Sequence, residues 1–514
     1  MVERIVVVGA GPVGIRFAEE LLPAIERGLI SVTVVGAEPT EPYNRVLVAE
    51  YAVGEIDADG LELASTDELR SAGVDLRLGA RAERIDRHSA AVVLDDGSAL
   101  EYDRLVLATG ARSVVPRLDG LEELGVDSSG LDARLTSGVC VLRSLEDAAN
   151  VRSVVEAGGR VVVLGAGVLG IELAMLLVEA GSPATVAHFG PIPMPRQLDR
   201  GAAWVLGAAL STAGVTVVPH TRAEAVIARA DDNGVRRFRA LVSADARQIE
   251  GDLLVLSCGT RARTELAEAA GLRTGRGVLV DAGLRSWTDP RIHAIGDCAH
   301  IADPEQYLRE RDIPGGPNGL VAPGWRQAEW LAAAIIDELD GAAPQPFADE
   351  QPGVVALKAE RVDLVSAGDV SVEQFAPVPA DEAAPGVAVW SDPEHGSYVK
   401  MVTRDGILSG FVCVGLPRTG AELGVLYLRR GELPADRSLL LRLDSADEPA
   451  AQATGREATV CICNAVSVGA VEDAITGGCE SVAEVGRCTR AGTGCGGCRA
   501  RIAEMLNAAA GVPA

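Results

Sequence analysis

Four cysteines near the C-terminus have a spacing suited to a metal ion or an iron–sulfur cluster. Cys461 and Cys463 form one close pair, and Cys495 and Cys498 form a second pair in a glycine-rich run that starts at Gly492. Thiolates suit zinc and iron–sulfur clusters, and the glycines let backbone N–H groups approach the sulfurs. The spacing leaves three interpretations open: a [2Fe–2S] cluster, a structural zinc ion and a pair of disulfides. Disulfides are disfavoured because nothing marks the chain as secreted.

The chain also begins with a dinucleotide-binding signature. A β-branched run over residues 4–8 predicts a buried parallel strand, and a glycine-rich turn and a helical pattern follow it directly. Gly9 permits the tight turn, Gly11 lets a pyrophosphate approach the backbone, and Gly14 allows the helix to pack on the strand. Glu38 comes after a second predicted strand, where a carboxylate can accept hydrogen bonds from an adenosine ribose.

A second copy of the signature begins at residue 160. An apolar run precedes Gly165, Gly167 and Gly170, and Glu172 stands on the helix that should follow. Two complete strand–turn–helix units predict two dinucleotide sites rather than one motif found by chance. The sequence therefore predicts an α/β protein with two Rossmann-like domains.

Length and charge narrow the class of protein further. At 514 residues the chain is long enough for three or four domains, and its formal charge of −26 argues against binding nucleic acid or an anionic membrane surface. The N-terminus lacks the pattern of a signal peptide, and Glu172 and Glu179 interrupt the longest apolar stretch, residues 161–180. We therefore expect a cytoplasmic protein without a membrane span.

Two shorter runs connect the glycine turns to a known family. Thr109 and Gly110 end one predicted strand, and Gly296 and Asp297 follow another. Together with the two glycine turns, these runs resemble the flavoprotein reductases with two dinucleotide-binding domains. The resemblance implies that all four residues belong to an FAD site, together with the first glycine turn and Glu38. It also implies that Arg45 pairs with an FAD phosphate.

By the same resemblance, the second glycine turn and Glu172 bind NAD(P)H. The strand at residues 185–188 lacks the terminal carboxylate expected for a free ribose 2′-hydroxyl, and Arg196 is nearby in sequence. These residues do not decide between NADH and NADPH, whereas the resemblance favours NADH.

A narrower resemblance covers nearly the whole chain. The runs at residues 38–45, 194–199, 319–323 and 362–368 resemble the NAD(P)H-dependent nitrite reductase large subunits. They equally resemble the electron-transfer subunits of assimilatory nitrate reduction. Nitrite reductases continue into a sirohaem and [4Fe–4S] portion, whereas this sequence ends shortly after Cys498. We therefore expect that the chain alone does not reduce nitrite.

The cysteine pairs carry their own resemblance. Cys461, Cys463, Cys495 and Cys498 resemble the ligands of the bacterioferritin-associated-ferredoxin-like (BFD-like) [2Fe–2S] module. This resemblance favours the cluster over zinc and makes these four residues the expected metal ligands. Cys479 lies between the two pairs, as does Cys488, and both remain reserve candidates.

The resemblance implies a division into four domains. An FAD-binding domain is expected over residues 1–112 and 250–340, with the NAD(P)H-binding domain inserted at 113–249. A small α/β domain should follow at 346–445. A small helical [2Fe–2S] module should occupy 456–507.

The implied function is that of an FAD-dependent NAD(P)H oxidoreductase. Electrons would pass from NAD(P)H to FAD, then to the [2Fe–2S] cluster, and then to a catalytic nitrate or nitrite reductase subunit. Two alternatives remain open: a flavin amine or opine oxidase subunit with such a cluster, and a redox-sensing or iron-handling adaptor. The complete second glycine turn argues against the oxidase, because it indicates a pyridine nucleotide donor.

For some side chains near these motifs, the sequence does not require a catalytic role. No Cys-x-x-x-x-Cys motif follows the first glycine turn, so a disulfide relay beside the flavin is not expected. His300 is interpreted as structural, because hydride transfer to a flavin needs no general base. Trp325 has two equally weighted interpretations, as a cover for the flavin or as a core side chain.

Overall fold

The structure is a computed structural model of the chain. It describes residues 2–127, 129–230, 234–307, 312–348, 353–357, 362–374, 384–444, 455–456, 458–461, 466–492 and 496–509. Among these residues, no helix is both long enough and apolar enough to cross a membrane.

The elements fall into five consecutive groups. Residues 3–113 form β1 Glu3–Val8, α1 Pro12–Glu20, α2 Leu22–Glu26, β2 Ile30–Gly36, α3 Val48–Val53, α4 Thr66–Ser71, β3 Asp75–Leu78, β4 Ala82–Asp86, β5 Ala91–Leu94, β6 Ala99–Glu101, β7 Arg104–Leu107 and β8 Ala111–Ser113. Residues 123–262 form β9 Glu123–Val126, β10 Ala133–Leu135, β11 Val139–Cys140, α5 Leu145–Glu156, β12 Val161–Leu164, α6 Val168–Glu179, β13 Ala184–Ala187, α7 Arg200–Ala213, β14 Thr216–Val218, β15 Ala223–Ala230, β16 Arg236–Ser243, β17 Gln248–Glu250, β18 Leu253–Leu256 and β19 Thr260–Ala262.

The remaining elements follow in the same order. Residues 265–339 form α8 Glu265–Ala269, β20 Val278–Val280, β21 Ile292–Ala294, β22 Ala299–Ile301, α9 Pro304–Tyr307 and α10 Val321–Leu339. Residues 354–441 form β23 Val354–Leu357, β24 Leu364–Gly368, β25 Gly386–Asp392, β26 Ser397–Arg404, β27 Ile407–Val414, α11 Pro417–Leu428 and α12 Ser438–Leu441. Residues 459–509 form β28 Thr459–Cys461, β29 Val466–Ser467, α13 Val468–Thr476, α14 Val482–Thr489 and α15 Arg499–Ala509.

The first glycine turn directly follows β1, the central strand of a five-stranded parallel sheet. The strand order is β21-β7-β1-β2-β3. Apolar side chains of β1, such as Val7, are fully buried beneath α1 and α10, which pack against each other. Burial of each such side chain stabilises the fold by about 1.5–3 kcal/mol. Because parallel strands end at one edge, the segments after β1, β7 and β21 meet there.

A second parallel sheet repeats this arrangement. Its order is β11-β18-β12-β13-β14, so the second glycine turn also leaves the central strand. Strand β18 pairs with both β11 and β12 and therefore belongs to this second sheet. This strand lies just beyond residue 249, which is the predicted end of the inserted domain.

The chain leaves and re-enters the first unit through one short antiparallel pair. Strand β8 follows β7 and pairs with β19, which follows β18. Both connections between the two parallel sheets therefore run side by side. This pairing brings the end of the second unit back next to Gly110.

A mixture of strands and helices follows α10. Five antiparallel strands in the order β23-β24-β27-β26-β25 form a third sheet, and α11 packs on it. Last, a short hairpin of β28 and β29 and the helices α13, α14 and α15 surround a small core of their own. The fold class predicted from the sequence is confirmed.

Candidate functional site

A cavity of about 1890 Å³ connects the first glycine turn with the C-terminal cysteine module. It is larger than the few hundred to roughly 1,000 Å³ of an ordinary small-molecule site. Its walls include eleven of the residues expected to bind a cofactor or cluster: Gly9, Gly11, Glu38, Arg45, Thr109, Gly110, Glu172, Gly296, Asp297, Cys461 and Cys498.

The geometry of the first glycine turn fits a bound pyrophosphate. A Cβ atom on Gly9 would lie 2.1 Å from the Ala108 carbonyl oxygen, and one on Gly14 would lie 2.0 Å from the Gly9 carbonyl oxygen. A Cβ atom on Gly11 would meet only the Arg45 side chain, at 3.9 Å. Packing therefore requires glycine at the first and third positions, whereas the second faces open space at the N-terminus of α1.

The second glycine turn has the same geometry. A Cβ atom on Gly165 would lie 2.1 Å from the Ser257 carbonyl oxygen, and one on Gly170 would lie 2.2 Å from the Gly165 carbonyl oxygen. Among the described residues, no heavy atom comes within 4 Å of a Cβ placed on Gly167. The three glycines stand outside the large cavity, but the buried Glu172 on α6 reaches its wall. This turn therefore also offers an open approach to its backbone.

Glu38 and Arg45 lie together on the wall of the cavity. The Arg45 guanidinium forms an ion pair with the Glu38 carboxylate, which also accepts a hydrogen bond of 2.7 Å from the Tyr43 hydroxyl. Arg45 also donates to the Arg143 carbonyl oxygen at 3.1 Å. Arg45 was expected to pair with an FAD phosphate. Its guanidinium also has partners within the protein, and one of them is Glu38, which it orients.

Asp297 lies in a largely buried position beside Arg143. Burial raises the pKa of the Asp297 carboxyl, and the Arg143 guanidinium, 3.6 Å from its carboxylate, opposes this shift. Arg143 donates to the Ala111 carbonyl oxygen at 2.8 Å, and burial lowers the pKa of its guanidinium. Sequence reasoning missed Arg143, although it directly precedes Ser144, which starts the capping box of α5.

The neighbouring Gly296 is held by a helix far along the chain. Its backbone N–H donates to the Gln327 side-chain oxygen at 2.7 Å, and its φ of +73° favours glycine. A Cβ atom on Gly324 would lie 3.3 Å from the Gly296 Cα atom. The start of α10 therefore packs directly on the Gly296 turn. Gln327 was also missed, although it follows the run at 319–323 that the sequence singled out.

Thr109 and Gly110 form the third segment at this sheet edge. The Thr109 hydroxyl donates to the Arg263 carbonyl oxygen at 3.0 Å, and the Arg263 N–H donates to the Gly110 carbonyl oxygen at 2.9 Å. The Arg263 guanidinium pairs with Asp132, and both side chains line the cavity. The cavity wall thus includes the ion pair of Arg263 and Asp132, which no motif in the sequence predicted.

Two of the four expected cluster ligands can be located. Cys461 and Cys498 are buried, belong to the core of the small module and line the cavity. Cys463 and Cys495 lie outside the described residues. In the part of the chain that the structure describes, no group of three or more His, Cys, Asp or Glu side chains could hold a metal. That observation concerns only half of the expected ligand set.

His300 and Trp325 have structural partners. The His300 Nδ1 atom accepts a hydrogen bond of 3.2 Å from the Arg276 N–H, and its Nε2 atom lies 2.9 Å from the Pro314 carbonyl oxygen. The Trp325 ring is buried, donates to the Pro12 carbonyl oxygen at 3.1 Å and lines the cavity. His300 is therefore a hydrogen-bonded core histidine, and Trp325 supports the first glycine turn.

Two family models match the chain. The pyridine nucleotide-disulphide oxidoreductase family matches residues 3–317, and the BFD-like [2Fe–2S] binding domain matches residues 459–508. The second match contains all four expected ligand cysteines. The predicted FAD, NAD(P)H and [2Fe–2S] cofactors are confirmed at the level of the families.

Individual relatives extend the similarity over nearly the whole chain. The assimilatory nitrate reductase electron transfer subunit of Bacillus subtilis is 28% identical over 98% of this chain and 59% of its own length. The NAD(P)H nitrite reductase large subunit of Klebsiella oxytoca is 32% identical over 98% of this chain and 48% of its own length. The chain therefore spans about half to three-fifths of these relatives. The resemblance inferred from the sequence is confirmed.

Solved structures support the fold. The covalent putidaredoxin reductase–putidaredoxin complex matches with a TM-score of 0.68 and 23% identity, over 87% of this chain and 97% of the matched chain. At this level of identity the match supports the two-sheet architecture alone.

Proposed function

Since the chain belongs to the pyridine nucleotide-disulphide oxidoreductase family, we propose that it is the electron-transfer component of an assimilatory nitrate or nitrite reductase. It would carry electrons from NAD(P)H through FAD and a [2Fe–2S] cluster to a catalytic partner subunit. One observation carries this proposal. A single cavity is lined by the first glycine turn, by Asp297 and by two cysteines of the C-terminal module.

In this proposal the residues at the edge of the first sheet hold FAD. The turn through Gly9, Gly11 and Gly14 presents its backbone and the N-terminus of α1 to the pyrophosphate. Glu38, oriented by the Arg45 guanidinium, would accept hydrogen bonds from the adenosine ribose. These roles are supported by the open space beside Gly11.

The remaining FAD contacts would come from the other two strand ends. Thr109 and Gly110 would close the site from β7. Gly296 and Asp297, which follow β21, would contact the flavin side of the cofactor. Arg143 would favour the ionised form of Asp297, because its guanidinium opposes the effect of burial on the pKa of that carboxyl.

The second glycine turn would hold NAD(P)H through Gly165, Gly167 and Gly170, with Glu172 on the wall towards the large cavity. Bound together, the two nucleotides would supply hydride transfer and then single electrons for the cluster. The chain's own contribution is to align the cofactors and to exclude water from the cavity.

Cys461, Cys463, Cys495 and Cys498 would hold the cluster. Burial of Cys461 and Cys498 supports this role, because a cluster needs protection from water. The partner would be a catalytic nitrate or nitrite reductase subunit, and the net charge of −26 supports docking to a basic surface on it. We place the chain in the cytoplasm, where thiolate ligands stay reduced.

Anaerobic titration with NADH and with NADPH tests this function. Flavin absorbance should bleach first, and the reduced cluster should then appear by electron paramagnetic resonance. A Cys498→Ser variant should still reduce its flavin and ferricyanide, but it should lack the reduced-cluster signal and should fail to reduce the partner subunit. Retained cluster reduction in that variant would contradict the proposal, and so would a flavin that neither nucleotide reduces.

The same titration separates the alternative functions. An adaptor without turnover would show no flavin bleaching by either nucleotide. An amine or opine oxidase subunit would bleach with an amine substrate and not with NAD(P)H. Comparison of the two nucleotides in this assay also assigns the preference that the sequence leaves open.

A further inference from the structure

One arginine of the cysteine module reaches two carboxylates of the first unit. The Arg490 Nη1 atom lies 2.9 Å from a Glu19 carboxylate oxygen, and its Nη2 atom lies 2.9 Å from a Glu20 carboxylate oxygen. All three side chains are only a quarter to a third exposed. A guanidinium fork that binds two carboxylates at once is both stronger and more directional than a surface ion pair.

Both carboxylates stand where a helix disfavours negative charge. Glu19 and Glu20 are the last two residues of α1, next to the negative end of the helix dipole. The last turn of α1 contains no basic residue, although Arg16, one turn earlier, pairs with Glu20 at 3.3 Å. A cation from outside α1 therefore stabilises this end of the helix, and Arg490 supplies one.

Arg490 lies in the module between α14 and the second pair of ligand cysteines. It follows α14 with a φ of +68°, a left-handed conformation that is uncommon for a residue other than glycine. The second ligand pair begins five residues later, at Cys495. Thr489 and Arg490 both line the cavity that holds Cys461 and Cys498. Arg490 thus joins the ligand-bearing end of the module to the helix that begins at the first glycine turn.

Two further contacts bring the module close to the same unit. A Cβ atom on Gly496 would lie 2.8 Å from a Leu47 methyl carbon, so the backbone beside the ligand Cys495 packs directly on Leu47. The Arg499 guanidinium donates to the Gly60 carbonyl oxygen at 3.4 Å. Among these three contacts, only that of Arg490 joins side chains of opposite charge.

We propose that Arg490 is a positioning residue that seats the cysteine module on the end of α1, so that the cluster faces the flavin site. This inference rests on the proposed function. It adds that electrons leave the flavin within one chain and that Glu19 and Glu20 are the docking partners. The role rests on the two ion pairs with Glu19 and Glu20, which position the module and take no part in the chemistry.

Three variants of the full-length, cluster-loaded protein test this role: Arg490→Gln, Arg490→Lys and the double variant Glu19→Gln/Glu20→Gln. The matched control is Arg501→Gln, because Arg501 pairs with Glu504 within α15 at 2.8 Å. Stopped-flow mixing with NADH or NADPH then gives the rate of flavin reduction and, separately, the rate of cluster reduction. Iron and acid-labile sulfide are measured for every preparation.

We expect Arg490→Gln to slow cluster reduction about tenfold and to change flavin reduction less than about twofold, because only the seated module receives electrons. Arg490→Lys should recover part of the rate, since a single ammonium replaces the fork. The control should match the wild-type protein. Equal rates of cluster reduction in Arg490→Gln and wild type would overturn the inference.

The double variant covers the case in which Arg490→Gln loses iron. Its substitutions lie outside the module, so they test seating without touching the fold around the ligands. Slow cluster reduction with full iron content supports the inference, and an unchanged rate overturns it. Failure of the proposed function is distinguishable, because the wild-type cluster would then stay oxidised although the flavin is reduced.

Discussion

The Sγ atoms of Cys479 and Cys488 lie 3.2 Å apart, with Cys479 just beyond α13 and Cys488 near the end of α14. The hydrogen bond between the two thiols raises the pKa of Cys479 to about 11. Neither sulfur belongs to the cavity wall that includes Cys461 and Cys498. The pair therefore joins two helices of the module.

We predict that Cys479→Ser and Cys488→Ser keep about two irons and two acid-labile sulfides per chain, as a [2Fe–2S] cluster requires. Cys461→Ser and Cys498→Ser should lose both, because each removes a ligand. Colorimetric iron and sulfide assays on anaerobically purified protein measure the outcome. Stoichiometric zinc without sulfide in the wild-type protein would refute the cluster itself.

The second glycine turn provides a test of nucleotide binding. Gly167 has an extended backbone that accepts any residue, with open space where a Cβ would stand. In Gly167→Ala we expect a full content of FAD and a KM for NAD(P)H raised about tenfold, because the methyl group occupies the approach to the pyrophosphate. Steady-state ferricyanide reduction measures the KM.

Gly207→Ala is the matched control for this substitution. Gly207 lies within α7, and a Cβ there meets no described heavy atom within 4 Å. Alanine favours a helix by up to about 1 kcal/mol over glycine, so this variant should be at least as stable as the wild type with an unchanged KM. An unchanged KM in Gly167→Ala would show that the nucleotide does not approach this turn.

His293 predicts how stability depends on pH. Burial in β21 lowers the pKa of its imidazole to about 3, aided by the nearby charges of Arg104 and Arg285. The unfolded chain takes up this proton near pH 6.5, so the contribution of His293 is present above that pH and is lost as the pH falls towards 3. From pH 7 to pH 5 the loss amounts to about 2 kcal/mol.

His293→Phe should remove this part of the pH dependence. Urea unfolding followed by circular dichroism at pH 7 and pH 5 gives the difference for variant and wild type. His88→Gln changes an exposed histidine and should behave as the wild type does. A slope in His293→Phe equal to that of the wild type would show that the imidazole has the same pKa in the folded and unfolded protein.

Asp199 links the second sheet's unit to the third sheet. One carboxylate oxygen accepts a hydrogen bond of 3.0 Å from the Ala202 N–H and so caps α7. The other accepts from the Tyr398 hydroxyl at 2.7 Å and from the buried Lys400 ammonium at 3.0 Å. Removal of one member of a buried pair leaves the other charge without its counterion.

We therefore expect Asp199→Asn to destabilise the protein by about 3 kcal/mol, because the buried Lys400 side chain loses its carboxylate counterion. Asp199→Asn/Lys400→Met should recover most of this loss, since both charges are then absent. Thermal unfolding by calorimetry compares the variants, with Arg501→Gln as the control for an exposed pair. If the double variant were less stable than Asp199→Asn by the full effect of Lys400→Met alone, the two charges would not interact.

Local spacing was enough to predict two dinucleotide sites, a cysteine-ligated site and the strands that present the glycine turns, and the family resemblance then identified the cofactors. Glycines at 9, 11 and 14 and at 165, 167 and 170 follow β-branched runs, and hydrophobic periodicity with close-range turn chemistry specifies such strand–turn–helix units. The cysteine pairs are likewise close in sequence. Patterns of this kind are visible because the interacting residues are neighbours along the chain.

The tertiary structure alone decided which distant residues complete the site. Arg143 and Asp297 are 154 positions apart in the sequence, and Arg490 and Glu19 are 471 positions apart. It also assigned β18 to the second sheet, beyond the expected boundary. Such contacts depend on how the parallel strands are ordered and how the units pack. The order of the strands results from burial and strand pairing summed over the whole fold. No local pattern in a single sequence therefore predicts it.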